Sequence, residues 1–173
     1  MKTKLFPLCT AMLLAAFCAN AMDAKPVAKL GSPEFERMKT LVGSWAGKVD
    51  MGGNPVDMDL SYRLLAGGSV VEERCFAGTP NEMTTMFYDQ GGKLAATHYC
   101  ALGNRPKFLL KSSDAKSITF DFDKTCGINA KKESHMHSLT LTFNDASTVT
   151  MNCRAIMDGK EVIPHDTVLK RVK

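Results

Sequence analysis

The chain has 173 residues, of which 45% are hydrophobic and 23% are charged, a balance typical of one globular domain with one apolar core. Lysine and arginine total 22 against 18 aspartates and glutamates, which gives a net charge of +4. A charge this small, without a run of basic residues, argues against a nucleic-acid-binding protein.

The first 21 residues have the pattern of a secretory signal peptide. Lys2 and Lys4 precede the apolar run LFPLCTAMLLAAF, and small residues at Ala19 and Ala21 predict cleavage after Ala21. The run is shorter than a transmembrane helix requires, and no other long apolar segment follows, so no membrane span is predicted. We therefore expect a periplasmic or secreted protein.

Residues 22–33 form a polar, proline-containing segment, and we expect a flexible lead-in to one domain over residues 34–173. A short helix is predicted at the junction, because Ser32 suits the cap position and Pro33 the first turn. Phe35 and Met38 then recur at helical spacing, and Gly43 ends the segment.

Beyond Gly43, apolar and polar residues alternate, as they do in half-buried strands. About ten such segments follow one another, separated by turn sequences such as AGG, DQGGK, LGNRP and MDGK. Because short turns join antiparallel neighbours, the pattern predicts an all-β fold, an up-and-down antiparallel β-barrel of about ten strands with one short N-terminal helix.

The entry into the first strand, LVGSWAGKV after a short helix, resembles the Gly-x-Trp entry of the calycin superfamily, which includes the lipocalins and fatty-acid-binding proteins. The longer pattern EMTTMFYD, KLAATHYCALGNRPK and SHMHSLTLTF is similar to a branch of exported, lipocalin-like bacterial proteins without an assigned activity. The resemblance implies a lipocalin-like barrel whose bottom is closed by Trp45, packed on an arginine of a late strand. Arg171 is the matching residue. Function does not follow from such a fold.

Four cysteines remain after residue 21, and an even number in an exported protein favours disulfide bonds. They are Cys75, Cys100, Cys126 and Cys153, for which three pairings are possible. The alternative is a Cys100 thiolate nucleophile with His98 as its base. Residues two apart along a strand are about 6.5–7 Å apart, which is too far for a direct hydrogen bond.

If the first strand runs upward from Trp45, the unusual polar residues gather at the open mouth of the barrel. His98 and Cys100 end the fifth strand, and His135 and His137 begin the eighth. Alternation along each strand predicts that all three histidines point inward, although a single β-bulge would reverse the facing of the residues beyond it.

The leading hypothesis is an exported barrel that binds a small, mainly apolar molecule, since methionine and aromatic side chains adapt to such guests. The residues expected to contact the guest are Tyr62, Met86, His98, Arg105, His135, Met136 and His137. The four cysteines, Trp45 and Arg171 are expected to be structural.

The alternative is a metal- or haem-binding protein in which His98, His135 and His137 converge at the mouth, since imidazole nitrogen binds zinc and copper. No complete acid–base or nucleophile set is visible, so an enzyme is not the expected class. No cofactor can be named from the sequence.

Overall fold

The computed structural model describes residues 31–50, 53–162 and 166–172. Within these ranges the chain forms one α-helix, α1 (Pro33–Lys39), and a set of antiparallel strands. The strands are β1 (Gly43–Asp50), β2 (Pro55–Leu65), β3 (Val70–Cys75), β4 (Met83–Gln90), β5 (Lys93–Tyr99), β6 (Lys107–Ser113), β7 (Ser117–Phe122), β8 (His135–Phe143), β9 (Thr148–Met157), β10 (Lys160–Val162) and β11 (Thr167–Arg171). The predicted signal peptide, residues 1–21, lies outside the described residues.

The strands close into a ten-stranded antiparallel barrel. Neighbours pair in chain order from β1 to β9, and β11 then pairs with both β9 and β1 to complete the ring. The short strand β10 pairs with the last part of β9 alone among the described strands. The predicted all-β barrel of about ten strands is thus confirmed, with the expected last strand divided into β10 and β11.

Helix α1 begins as the sequence indicates and is attached to the barrel at its start. The Ser32 hydroxyl accepts a hydrogen bond from the Phe35 N–H (3.2 Å) and donates one to a carboxylate oxygen of Asp89 at the end of β4 (2.7 Å). Residues 31–33 of the expected lead-in therefore belong to the start of the helix. In the described part of the chain, no helix has the length and apolar character needed to cross a membrane.

The lower half of the barrel is filled by buried apolar side chains. Phe35 and Met38 of α1 are 2% and 0% exposed, so the helix packs its apolar face against this core. Phe87 and Phe120 meet inside the barrel with their ring centroids 5.7 Å apart. Each such ring buries a large apolar area, and this burial is the main force that holds the barrel together.

The bottom is closed by Trp45 and Arg171, as the family resemblance implied. The guanidinium carbon of Arg171 lies 4.3 Å from the centroid of the Trp45 ring, and the two residues are paired across β1 and β11. Arg171 also donates hydrogen bonds to the carbonyl oxygens of Thr40 and Val42, which follow α1, at 2.7 and 2.8 Å. These contacts connect the last strand, the first strand and the helix.

Gly43 explains why a glycine precedes the tryptophan by two residues. Its φ angle is +131°, a conformation that favours glycine, and a Cβ atom there would lie 2.8 Å from the guanidinium of Arg171. The glycine of the Gly-x-Trp pattern thus leaves room for the arginine of the closure.

Candidate functional site: the cavity at the barrel mouth

A cavity of about 220 Å³ occupies the upper half of the barrel. Its wall is mostly apolar and rich in sulfur. The lining side chains are Met58, Met83, Met136, Met151, Cys75, Cys100, Cys153, Val49, Phe76, Leu102, Leu139, Ala155, Glu73 and His98. An apolar cavity of about 150 Å³ is sufficient for benzene, so this volume suits a guest of one or two small rings.

His98 is in the cavity wall, as alternation along β5 predicted. The side chain is 4% exposed, and this burial lowers the pKa of its imidazole to about 4. The ring is therefore neutral at neutral pH. Its Nδ1 lies 2.9 Å from the Thr85 hydroxyl on the neighbouring strand β4.

A buried carboxylate, Glu73, lies at the other end of the same hydrogen-bond chain. Its two oxygens accept hydrogen bonds from the Tyr62 hydroxyl (2.6 Å) and the Thr85 hydroxyl (3.1 Å). Glu73 is 5% exposed, and this burial raises its pKa. Tyr62 thus orients Glu73 within the wall and is absent from the lining itself, although it was expected to contact a guest.

Sequence reasoning missed Glu73 and Thr85. The available signal was alternation: Glu73 shares its face of β3 with the buried Val71 and Cys75, and Thr85 shares its face of β4 with the buried Phe87. A charged side chain on the inward face of a strand is unusual enough to indicate a partner or a function.

The four described cysteines are free thiols, which corrects the expectation of disulfide bonds. Cys75, Cys100 and Cys153 all line the cavity. Cys75 lies in β3, Cys100 directly follows β5 and Cys153 lies in β9, and no two of these strands are neighbours in the barrel. For Cys75 and Cys100, whose strands lie two apart, the backbones are separated by about 9.6 Å, which is beyond the reach of a disulfide. Cys126 lies in the loop after β7 and outside the cavity lining.

Burial also makes two of the wall thiols, those of Cys75 and Cys153, poor nucleophiles. It raises the pKa of the Cys75 thiol to about 12 and raises that of Cys153 strongly, with the nearby Glu73 carboxylate adding to both effects. A reactive cysteine needs the opposite environment, one that stabilises the thiolate. The geometry therefore gives no support to thiol catalysis at these two positions.

His135 and His137 form a hydrogen-bonded pair beside the cavity. Nδ1 of His135 lies 2.7 Å from the Glu133 carbonyl oxygen, and its Nε2 lies 3.1 Å from Nδ1 of His137. The Phe122 ring packs on both imidazoles, with centroid distances of 4.5 and 5.6 Å. Neither histidine is in the cavity lining, where both were expected.

A β-bulge explains this difference. The pairing of β8 with β9 shifts between Met136 and Ser138, so His137 is an extra residue in the strand. Leu139, below the bulge, and Met136, above it, both line the cavity. They are three residues apart, whereas residues on one face of a regular strand are two or four apart. Met136 is thus in the wall as predicted, whereas the inward facing predicted for His135 and His137 was wrong.

The three histidines consequently do not converge on one point. His98 lies in the cavity wall, and the other two bond to each other outside it. Among the described residues, no group of three or more His, Cys, Asp or Glu side chains has an arrangement suited to a metal ion. The three-histidine metal site predicted from the sequence is not formed within these residues.

Two further predicted contact residues also lie elsewhere. Arg105 is exposed on the loop after β5, and Met86 is half-buried on β4, on the face opposite to Thr85 and Phe87. Neither belongs to the cavity lining. Asn104 of the same loop donates a hydrogen bond to the Ser134 carbonyl (2.8 Å), which connects two loops at the mouth.

No protein-family model matches the chain, and no match is found among curated proteins. The closed ten-stranded barrel with one short helix is consistent with a lipocalin-like fold, and a barrel of this kind is compatible with ligand binding.

Proposed function

We propose that this is an exported, lipocalin-like binding protein that holds a small, mainly apolar molecule in the upper half of its barrel. The observation that carries the proposal is the cavity of about 220 Å³ with its wall of methionine, cysteine and other apolar side chains. Ligand sites are typically concave and mostly apolar, with a few placed polar groups, and Glu73 and His98 are such groups here. Methionine adapts its shape to varied guests.

The volume limits the guest. Drug-sized ligands occupy pockets of about 300–1,000 Å³, and this cavity is smaller. A guest the size of a single substituted ring fits, whereas a group as large as haem requires the wall to rearrange.

The proposal is tested by filling the cavity. Ala155→Trp places a large ring among the lining residues, and we expect it to abolish binding of p-xylene measured by isothermal titration calorimetry. Ala115→Trp, the same substitution at an exposed position in the turn between β6 and β7, is the matched control and leaves binding unchanged. Circular dichroism checks that both variants are folded. A wild type that binds neither p-xylene nor p-cresol, or equal binding of p-xylene by Ala155→Trp and wild type, contradicts the proposal.

Export is the second part of the proposal, and it is supported by the signal-peptide pattern of residues 1–21. We expect the chain expressed from its full sequence in a Gram-negative bacterium to be recovered from the periplasm or the medium with Met22 as its first residue. N-terminal sequencing and intact mass measure this. An unprocessed chain confined to the cytoplasm contradicts it.

A further inference from the structure

Four buried polar side chains form one hydrogen-bond chain in the cavity wall, in the order Tyr62, Glu73, Thr85 and His98. The four are between 1% and 5% exposed, so water does not compete for these bonds. Two of the four, Glu73 and His98, line the cavity. Buried chains of this type hold each member in a defined orientation.

This hydrogen-bond chain determines which ring nitrogen of His98 carries the hydrogen. The two oxygens of Glu73 accept the hydrogens of the Tyr62 and the Thr85 hydroxyls. Thr85 has a single hydrogen, and its oxygen must therefore accept the Nδ1–H of His98. In the neutral ring, Nε2 is then left with a lone pair.

This lone pair makes no hydrogen bond within the described part of the chain, yet it is not enclosed. The fully enclosed side-chain nitrogen and oxygen atoms without a partner in that part are Nη2 of Arg37 and Oδ1 of Asn104. Because Nε2 of His98 is not among them, it is accessible, and the ring that carries it lines the cavity. The wall therefore presents to a guest an acceptor nitrogen that makes no other hydrogen bond within the described residues.

The charge of the wall restricts the guest further. Among the residues that the structure describes, no lysine or arginine lines the cavity, and the acidic residue in its wall is Glu73. An anionic guest would lose its hydration without gaining a cationic partner, and it would lie near the Glu73 carboxylate. A guest without a donor would leave Nε2 unpaired and shielded from water, which is unfavourable.

We infer that the guest is an uncharged, mainly apolar molecule with a single O–H or N–H group, such as a small alcohol, phenol or indole. This group donates a hydrogen bond to Nε2 of His98. This inference rests on the proposed function, because it assigns the polar contact of the same cavity. His98 then determines specificity, while the methionines and Leu139 supply the apolar contact.

The test compares three probes of matched shape by calorimetry at pH 7.5: p-cresol, p-xylene and p-toluate. The measured quantity is the ratio of the affinities for p-cresol and p-xylene, in wild type and in His98→Phe. Phenylalanine keeps a ring in the wall but has no acceptor, so we expect this ratio to fall by about tenfold or more. His137→Phe, the same substitution at a histidine outside the cavity lining, is the matched control that leaves the ratio unchanged. Wild type should show no binding of p-toluate.

The outcomes separate the two proposals. If p-xylene binds but the ratio is the same in His98→Phe, the donor inference is wrong and the binding function stands. Binding of p-toluate to wild type also overturns the inference. If neither p-xylene nor p-cresol binds to the wild type, the binding function fails and the inference fails with it.

A second measurement requires no variant. Nitrogen-15 NMR of the wild-type imidazoles distinguishes a protonated from an unprotonated ring nitrogen. We expect Nε2 of His98 to be unprotonated in the free protein and its signal to shift on addition of p-cresol, with a much smaller shift on addition of p-xylene. A free protein in which Nε2 carries the hydrogen overturns the inference.

Discussion

His98 connects the stability of the protein to pH through its burial. The pKa of a histidine in the unfolded chain is near 6.5, and burial lowers that of His98 to about 4 in the folded state. The folded protein therefore binds fewer protons between these two values. The stability linked to this residue is complete above about pH 6.5 and is lost as the pH falls towards 4, a change of about 3 kcal/mol.

We expect His98→Gln to reduce this acid sensitivity. Urea unfolding at pH 7.5 and pH 4.5 should show a loss of stability in wild type that is about 2–3 kcal/mol larger than the loss in the variant. Glu73, whose raised pKa acts in the opposite direction, is present in both proteins. His137→Gln, at a less buried histidine, is the control. Equal losses in wild type and His98→Gln would show that His98 is not the group that titrates.

At the scale of the elements, the closure by Arg171 connects three segments that are distant in sequence. Arg171→Met removes hydrogen bonds to the carbonyl oxygens of Thr40, Val42 and Ala146 and the stacking on Trp45, and we expect it to lower the free energy of unfolding by about 2 kcal/mol. Lys170→Met changes the exposed neighbour, and its effect should be within about 0.5 kcal/mol. Urea denaturation measures both, and a similar small effect in the two variants would contradict the role assigned to Arg171.

Alternation along strands allowed some facings to be predicted and not others. It placed His98 in the wall correctly, because β5 pairs with β4 without interruption. It failed for His135 and His137, because the bulge at His137 depends on how β8 pairs with β9 and leaves no mark in the sequence of β8 alone. Glu73 was visible in the pattern of β3, but its partner Thr85 becomes apparent only once β3 and β4 are paired.

At the scale of the whole molecule, the barrel could be predicted because turn sequences separate segments of alternating pattern, and these segments pair in chain order from β1 to β9. The division of the last strand into β10 and β11 could not be predicted. Both strands pair with β9, and the sequence does not reveal that pairing. Disulfides were expected from the compartment alone. That argument does not contain the strand order, which places Cys75 and Cys100 two strands apart.

The thiol assignments can be checked by alkylation of the folded protein with iodoacetamide at pH 8. Cys75 and Cys153, whose pKa values burial raises, should react orders of magnitude more slowly than Cys126 in the loop after β7. In urea all four described cysteines should be labelled, and peptide mass spectrometry identifies each site. An intact mass lighter by two hydrogens per pair, with no labelling in urea, would instead reveal disulfides.

The lower half of the barrel is filled and its end is closed, so the cavity has its opening at the mouth. A guest must leave by the route through which it entered. Side chains at the rim, such as Leu102, which is 47% exposed, then form part of the kinetic barrier in both directions. A change confined to that barrier speeds or slows capture and release together and leaves the dissociation constant fixed. For a guest of the proposed kind, rim substitutions would thus change how long it is held without changing how tightly it binds.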